Sequence, residues 1–248
     1  MPSDHYFTER PSSPGARRAL TATLRGFELH LVTEAGVFSR ERVDPGTALL
    51  IKHMNVQPAD RVLDLGCGYG VVGIIAAKLA AEGHVTLVDI NERAVALARE
   101  NLKANGITNA EALQGSGFAP VAPSASLGAG DRLFDVIALN PPIRAGLAVV
   151  HQLIEQAHAH LASGQSSPSP CTGRGTGGGV PSPSPDSPRA QSRGLERGKG
   201  GEVPRLYLVG RTKQGVVRLA EKMRQVFGNA EEVAKGGGYR LYVSRRDS

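Results

Sequence analysis

From Pro58 onward, short apolar runs alternate with longer stretches of helical periodicity. The pattern predicts strands at 61–65, 84–89, about 110–114 and 133–139, and helices at about 70–82, 91–105 and about 147–162. Strands separated by helices of this length indicate a parallel sheet covered on both faces. The rhythm returns late in the chain, with a strand at 206–210, a helix at 215–227 and a terminal hairpin at 231–234 and 239–243 around "KGGG". Upstream, 21–26 and 27–33 alternate with a partial period of two between turn glycines, which predicts a small β-hairpin leading to "GVFS" at 36–39. Asp44-Pro45 then reads as an N-cap followed by proline at the first helical position, opening a helix through about His53.

One segment interrupts the pattern. Residues 163–203 are Ser, Pro, Gly and Arg with almost no large apolar side chain, too little to offset the entropy of ordering, and a disordered insertion is expected there. The expected organisation is an N-terminal hairpin-and-helix extension at 1–57, a core at 58–162, the insertion at 163–203 and the rest of the core at 204–248. With 248 residues and 40% hydrophobic content, one α/β domain accounts for the chain. No stretch approaches the ~20 apolar residues of a membrane span, and the N-terminus has no apolar signal core, so a cytoplasmic protein is expected, or an organellar one in a eukaryote.

Cys67 and Cys171 fall in unrelated contexts and fit neither a disulfide framework nor a zinc site. The histidines lack metal-ligand spacing; His151, His158 and His160 read as the wet face of a helix, and no metal is expected. The net charge of +6 lies at the chain ends. Ten Lys and Arg stand against four Asp and Glu over 205–248, whereas acids outnumber bases over 26–163. Such a distribution suits a polyanion such as RNA, or is a set of solvated basic faces.

The most informative chemistry is "VLDLGCGYGVVG" at 62–73: an apolar strand, Asp64 near its end, then Gly66, Gly68 and Gly70 before a helix. Glycines let the backbone pass close to a ligand with its amides near a helix N-terminus. An acid before the first glycine departs from the dehydrogenase fingerprint; it repels pyrophosphate and suits an ammonium group. Asp89 closes the next strand, where a carboxylate can take both hydroxyls of a ribose. Ribose, a positive centre and no phosphate point to S-adenosylmethionine. The alternative roles are local: Asp64 capping nearby amides, and Asp89 the N-cap of the helix starting near Asn91. A third signal is "NPPI", where Asn140, Pro141, Pro142 and Ile143 follow a buried strand. Two prolines end the strand and hold adjacent carbonyls in one geometry, as they also would in a simple turn.

Taken together, "DLGCGYGVVG", "VDINERAVALARENLKANG", "NPPIRAG", "TKQG" and "GVFS" resemble the small-domain family of class I S-adenosylmethionine-dependent methyltransferases, and within it the guanine-N2 methyltransferases of small-subunit ribosomal RNA. The similarity covers about 5–162 and 205–246. It implies a Rossmann-like α/β fold, with a seven-stranded sheet, helices on both faces and the last strand antiparallel. It also implies that Asp64, Gly66, Cys67, Gly68, Gly70, Asp89, Ile90 and Ser116 bind S-adenosylmethionine, and that Asn140, Pro141, Pro142 and Ile143 form the catalytic element. There the Asn140 oxygen and the Pro141 carbonyl would accept hydrogen bonds from the target amine. Ribosomal RNA or the small subunit is the implied partner. Phe38 is a candidate wall for the base or else a plain core phenylalanine, and Arg144, Arg211 and Lys213 are candidates for phosphate or else surface charge.

Three features depart from the family pattern. Ser116 stands where many relatives have an acid for adenine, Ile143 replaces an aromatic residue, and Leu147 replaces a lysine. Protein glutamine methylation and a non-catalytic cofactor-binding RNA or assembly module are the competing functions.

Overall fold

The computed structural model describes residues 9, 16–39, 41–122, 133–162 and 202–246, so nearly all of the expected insertion lies outside the described residues. Strands β1 (Arg17–Leu24) and β2 (Phe27–Glu34) form the predicted hairpin, followed by α1 (Pro45–His53). The core runs β3 (Arg61–Leu65), α2 (Val71–Leu79), β4 (His84–Asp89), α3 (Glu92–Ala104), β5 (Ala110–Gln114), β6 (Val136–Leu139) and α4 (Leu147–His160). It finishes with β7 (Arg205–Arg211), α5 (Val216–Phe227), β8 (Glu231–Gly236) and β9 (Tyr239–Arg245).

These strands make one seven-stranded sheet in the order β5-β4-β3-β6-β7-β9-β8, with β9 antiparallel to both neighbours. The chain builds outward from β3 through β4 to β5, then returns to lay β6 on the other side of β3. The reversal opens a crevice beyond the carboxyl ends of β3 and β6, the usual ligand site of an open α/β sheet. Helix α2 is apolar apart from Lys78 in its last turn because it is sealed between the sheet and its neighbours; Gly73 passes so close that a Cβ there would sit 2.4 Å from Leu87 Cδ2.

The N-terminal hairpin is fastened to α3 by two asparagines one helical turn apart. Asn101 accepts from the Val32 amide at 2.7 Å and donates to the Val32 carbonyl at 2.9 Å, while Asn105 makes the same pair of bonds with His30. They satisfy the exposed edge of β2 as another strand would. Just beyond, the Asn91 amide nitrogen donates to the Gly36 carbonyl at 3.1 Å, which holds "GVFS" beside the crevice.

One detail adds to the sequence reading and another corrects it. Arg205 opens β7 as a buried cation, 2% exposed, held by Asp60 at 3.2 Å and by the Asn55 carbonyl at 2.7 Å. The α4 histidines do not form a wet face: His160 stacks on Phe118 with centroids 4.5 Å apart, His158 meets the edge of Phe227, and burial beside Phe227 and Arg246 lowers its pKa. Among the described residues no helix is long and apolar enough to cross a membrane.

Candidate active site

A cavity of about 750 Å³ fills the crevice, lined from the ends of β3, β4, β5, β6 and β7 together with "GVFS", α1 and Tyr239. One end is the glycine turn. After β3, Gly66 and Gly68 take left-handed φ of 75° and 56°, and a Cβ on either would meet nothing within 4 Å. That open space is where a ligand can approach the backbone. Gly70 serves differently: it is the N-cap of α2, off the cavity wall, and a Cβ there would sit 3.3 Å from Ala98 and Leu87.

Of the two carboxylates at this end, Asp64 is buried and Asp89 partly buried. Asp64 accepts from the Gly73 amide at 2.9 Å and still lines the cavity, so it combines the capping and ligand-facing positions. Burial pushes its pKa up to about 7, the Gly73 amide opposes that shift, and the charge of Asp89 adds to it. Asp89 accepts from the Gly68 and Asn91 amides, each at 2.9 Å, and thereby ties the turn to β4. Its carboxyl is also raised, by burial, with the Asn91, Gly68 and Ile90 amides opposing. The N-cap of α3 is Asn91 itself, not Asp89. Ile90, Ser116 and Cys67 also line the cavity, and burial pushes the Cys67 thiol up.

The other end centres on "NPPI". Asn140, Pro141, Pro142 and Ile143 all line the cavity. Pro142, at φ −75° and ψ 75°, makes a tight turn in which the Pro141 carbonyl accepts from the Ile143 amide at 2.9 Å. A carbonyl has two lone pairs, so one remains. The Asn140 amide nitrogen donates to Thr47 Oγ1 at 3.1 Å, and no described residue donates to the Asn140 oxygen. Phe38, 37% exposed, also lines the cavity.

Arg211 also reaches this wall; its Nε donates to Tyr239 Oη at 2.8 Å and its guanidinium stacks over that ring at 5.0 Å. Lys213 is exposed in the turn at 212–214 and off the cavity lining; the side chain of Arg144 lies outside the described residues. Sequence reasoning missed Thr47 and Tyr239, and it saw Asp44 only as the cap of α1, which it is: its side chain accepts from the Gly46 and Thr47 amides. The close fit of Gly46 against Tyr239 was equally invisible, because residues 46 and 239 meet only in the fold.

The donor set fits S-adenosylmethionine. Two carboxylates, Asp64 buried and Asp89 partly buried, flank a bare-backbone turn, and among the described side chains the only Lys or Arg on the cavity lining is Arg211, beside Tyr239. Fold and site together define a class I S-adenosylmethionine-dependent methyltransferase. The family model "Methyltransferase small domain" matches residues 28–166. The chain belongs to this methyltransferase small-domain family.

It is 30% identical over 246 residues to "Uncharacterized protein YbxB" of Bacillus subtilis, spanning 98% of this chain and 99% of that protein. It is 34% identical over 165 residues to "Ribosomal RNA small subunit methyltransferase C" of Pseudomonas entomophila, covering 65% of this chain and 46% of the relative. The chain thus spans about half the length of that second relative or less. Among solved structures, a T. thermophilus 16S rRNA N2 methyltransferase in complex with AdoMet and guanosine shares the fold at a TM-score of 0.67 and 21% identity, over 95% of this chain and 52% of that one.

Proposed function

We propose that this protein transfers a methyl group from S-adenosylmethionine to an exocyclic amino group, and that the group is guanine N2 of small-subunit ribosomal RNA. The observation that carries the reading is a pair of acceptors at the end of β6, the Asn140 amide oxygen and the Pro141 carbonyl, on the same cavity as Asp64 and Asp89. Bound at the glycine turn, the cofactor supplies an electrophilic methyl group on a positively charged sulfur.

The chain's own residues supply position and charge. Asp64 faces the ammonium group, Asp89 the ribose hydroxyls, and the turn around Ser116 the adenine. An exocyclic amine is a weak nucleophile because its lone pair is delocalised into the ring. Two fixed acceptors holding its hydrogens favour a geometry in which that lone pair points at the methyl group, and they stabilise the positive charge that develops. Phe38 and Ile143 wall the base in place of the usual aromatic residue.

RNA phosphate falls to Arg211 and the exposed Lys213, Arg218 and Arg224, none of which pairs with an acid among the described residues. Much of the remaining C-terminal charge is already engaged: Arg205 with Asp60, Lys222 with Glu155, Arg240 with Glu232 and Arg245 with Glu231. The names of the ribosomal RNA relatives support the choice of substrate class.

The test is methyl transfer from labelled S-adenosylmethionine to undermethylated small subunits, naked ribosomal RNA and total protein. Label that digests to N2-methylguanosine supports the reading. Label confined to protein moves the assignment to glutamine, and tight cofactor binding without transfer makes the protein a non-catalytic module.

A further inference from the structure

We infer that Thr47 is a positioning residue for the transfer: the Asn140 side-chain nitrogen donates to its hydroxyl at 3.1 Å, in the orientation that leaves the amide oxygen as the acceptor presented to the cavity. The inference rests on the methyltransferase reading above. A carboxamide has two orientations of nearly the same shape, one offering oxygen and the other an NH₂ group. Only the first can receive an N–H from a substrate amine; the second sets two donors face to face. Whatever holds the orientation therefore decides which substrates the "NPPI" element accepts.

The holding group does not come from the strand that carries Asn140. Thr47 lies in the first turn of α1, and its backbone amide donates to Asp44 Oδ2 at 3.1 Å. Asp44, 6% exposed, accepts from Tyr239 Oη at 2.7 Å through its other oxygen, and Tyr239 in turn accepts from Arg211 at 2.8 Å. Gly46 permits this arrangement, since a Cβ there would stand 2.5 Å from the Tyr239 ring. Thr47 is thus fixed to β9 and β7 by a polar chain, and Asn140 is fixed to Thr47. Thr47 and Asn140 both line the cavity.

The test compares Thr47→Val, which keeps the shape and removes the hydroxyl, with Thr47→Ser, which restores it. For Thr47→Val we expect kcat to fall about fivefold to tenfold, the equivalent of one neutral hydrogen bond, with an unchanged KM for S-adenosylmethionine and an unchanged melting temperature. Thr47→Ser should recover most of the rate. A substrate-free readout accompanies it: the side-chain carboxamide protons of Asn140, followed by NMR in ¹⁵N-labelled protein, should shift and exchange faster in Thr47→Val and return toward wild type in Thr47→Ser.

Carboxamide signals that ignore Thr47→Val overturn the hydrogen bond. Signals that move while kcat stays constant overturn the positioning role, and so does a loss of rate matched by a loss of melting temperature. Absence of transfer by the wild-type protein to any amine defeats the underlying reading instead, and is recognised because the carboxamide measurement needs no substrate.

Discussion

At the glycine-turn end of the cavity, Asp64, Gly66, Gly68 and Asp89 come from one β3–α2–β4 unit, and backbone amides make most of the contacts. At the Asn140 end, Thr47, Asn140, Arg211 and Tyr239 come from α1 and the ends of β6, β7 and β9, joined side chain to side chain. A locally built bed tolerates change elsewhere in the molecule and fails when its own backbone is altered. A bed assembled from distant side chains fails at any link. The first end suits an invariant cofactor, and the second allows the substrate to be set by few residues.

The largest break in that contrast is expected from Gly68→Val. A branched side chain would have to adopt φ near 56° and would project into the open space at the turn, so cofactor affinity should fall about 100-fold, in line with a strain of ~1–3 kcal/mol. Isothermal titration reads this directly, and unchanged affinity would mean that the turn is not the cofactor's bed. Asp89→Ala comes next: losing hydrogen bonds to a charged acceptor, worth ~1.5–3 kcal/mol, should weaken S-adenosylmethionine about 10- to 100-fold. The rate at saturating cofactor should stay within about threefold.

A pH series sharpens the same end. Burial disfavours the charge of Asp64 and pushes its pKa up to about 7. A cationic ligand needs it ionised, so affinity should rise about fivefold between pH 6 and pH 7, about tenfold between pH 6 and pH 8, and level off above that, with proton uptake by the unliganded protein below that range. Stability of the unliganded fold should move the opposite way. The folded pKa is raised above the unfolded value of 3.8, so folding is favoured at low pH and the advantage disappears as pH rises through about 7. Asp64→Asn should flatten both profiles. The smallest effect concerns the other end: Gly46→Ala forces a Cβ against the Tyr239 ring and should cost ~1–3 kcal/mol in denaturant unfolding without changing cofactor affinity.

The same contrast explains how much could be read from the sequence. The glycine turn, Asp64, Asp89 and the strand-ending "NPPI" were legible because each is a local pattern of strand, breaker and helix. The antiparallel last strand and the seven-stranded sheet followed from family resemblance. Thr47 and Tyr239 were not legible, since their meaning depends on contacts across 93 and 195 residues of chain: Thr47 with Asn140, and Tyr239 with Asp44. The buried pair of Arg205 with Asp60 was equally invisible, since the two residues meet only in the fold. His160 read as solvated because helical spacing alone cannot reveal that Phe118 covers it.

The most direct measurement of the central claim is made on Asn140→Ala, with the cofactor dissociation constant and the single-turnover rate of methyl transfer to small-subunit ribosomal RNA determined on the same preparation. The predicted result is a dissociation constant within about twofold of wild type and a rate reduced by about 100-fold or more, as expected for removal of a preorganised acceptor. A wild-type rate in this variant would contradict the account, and an equal loss of cofactor binding would erase the division between the two ends.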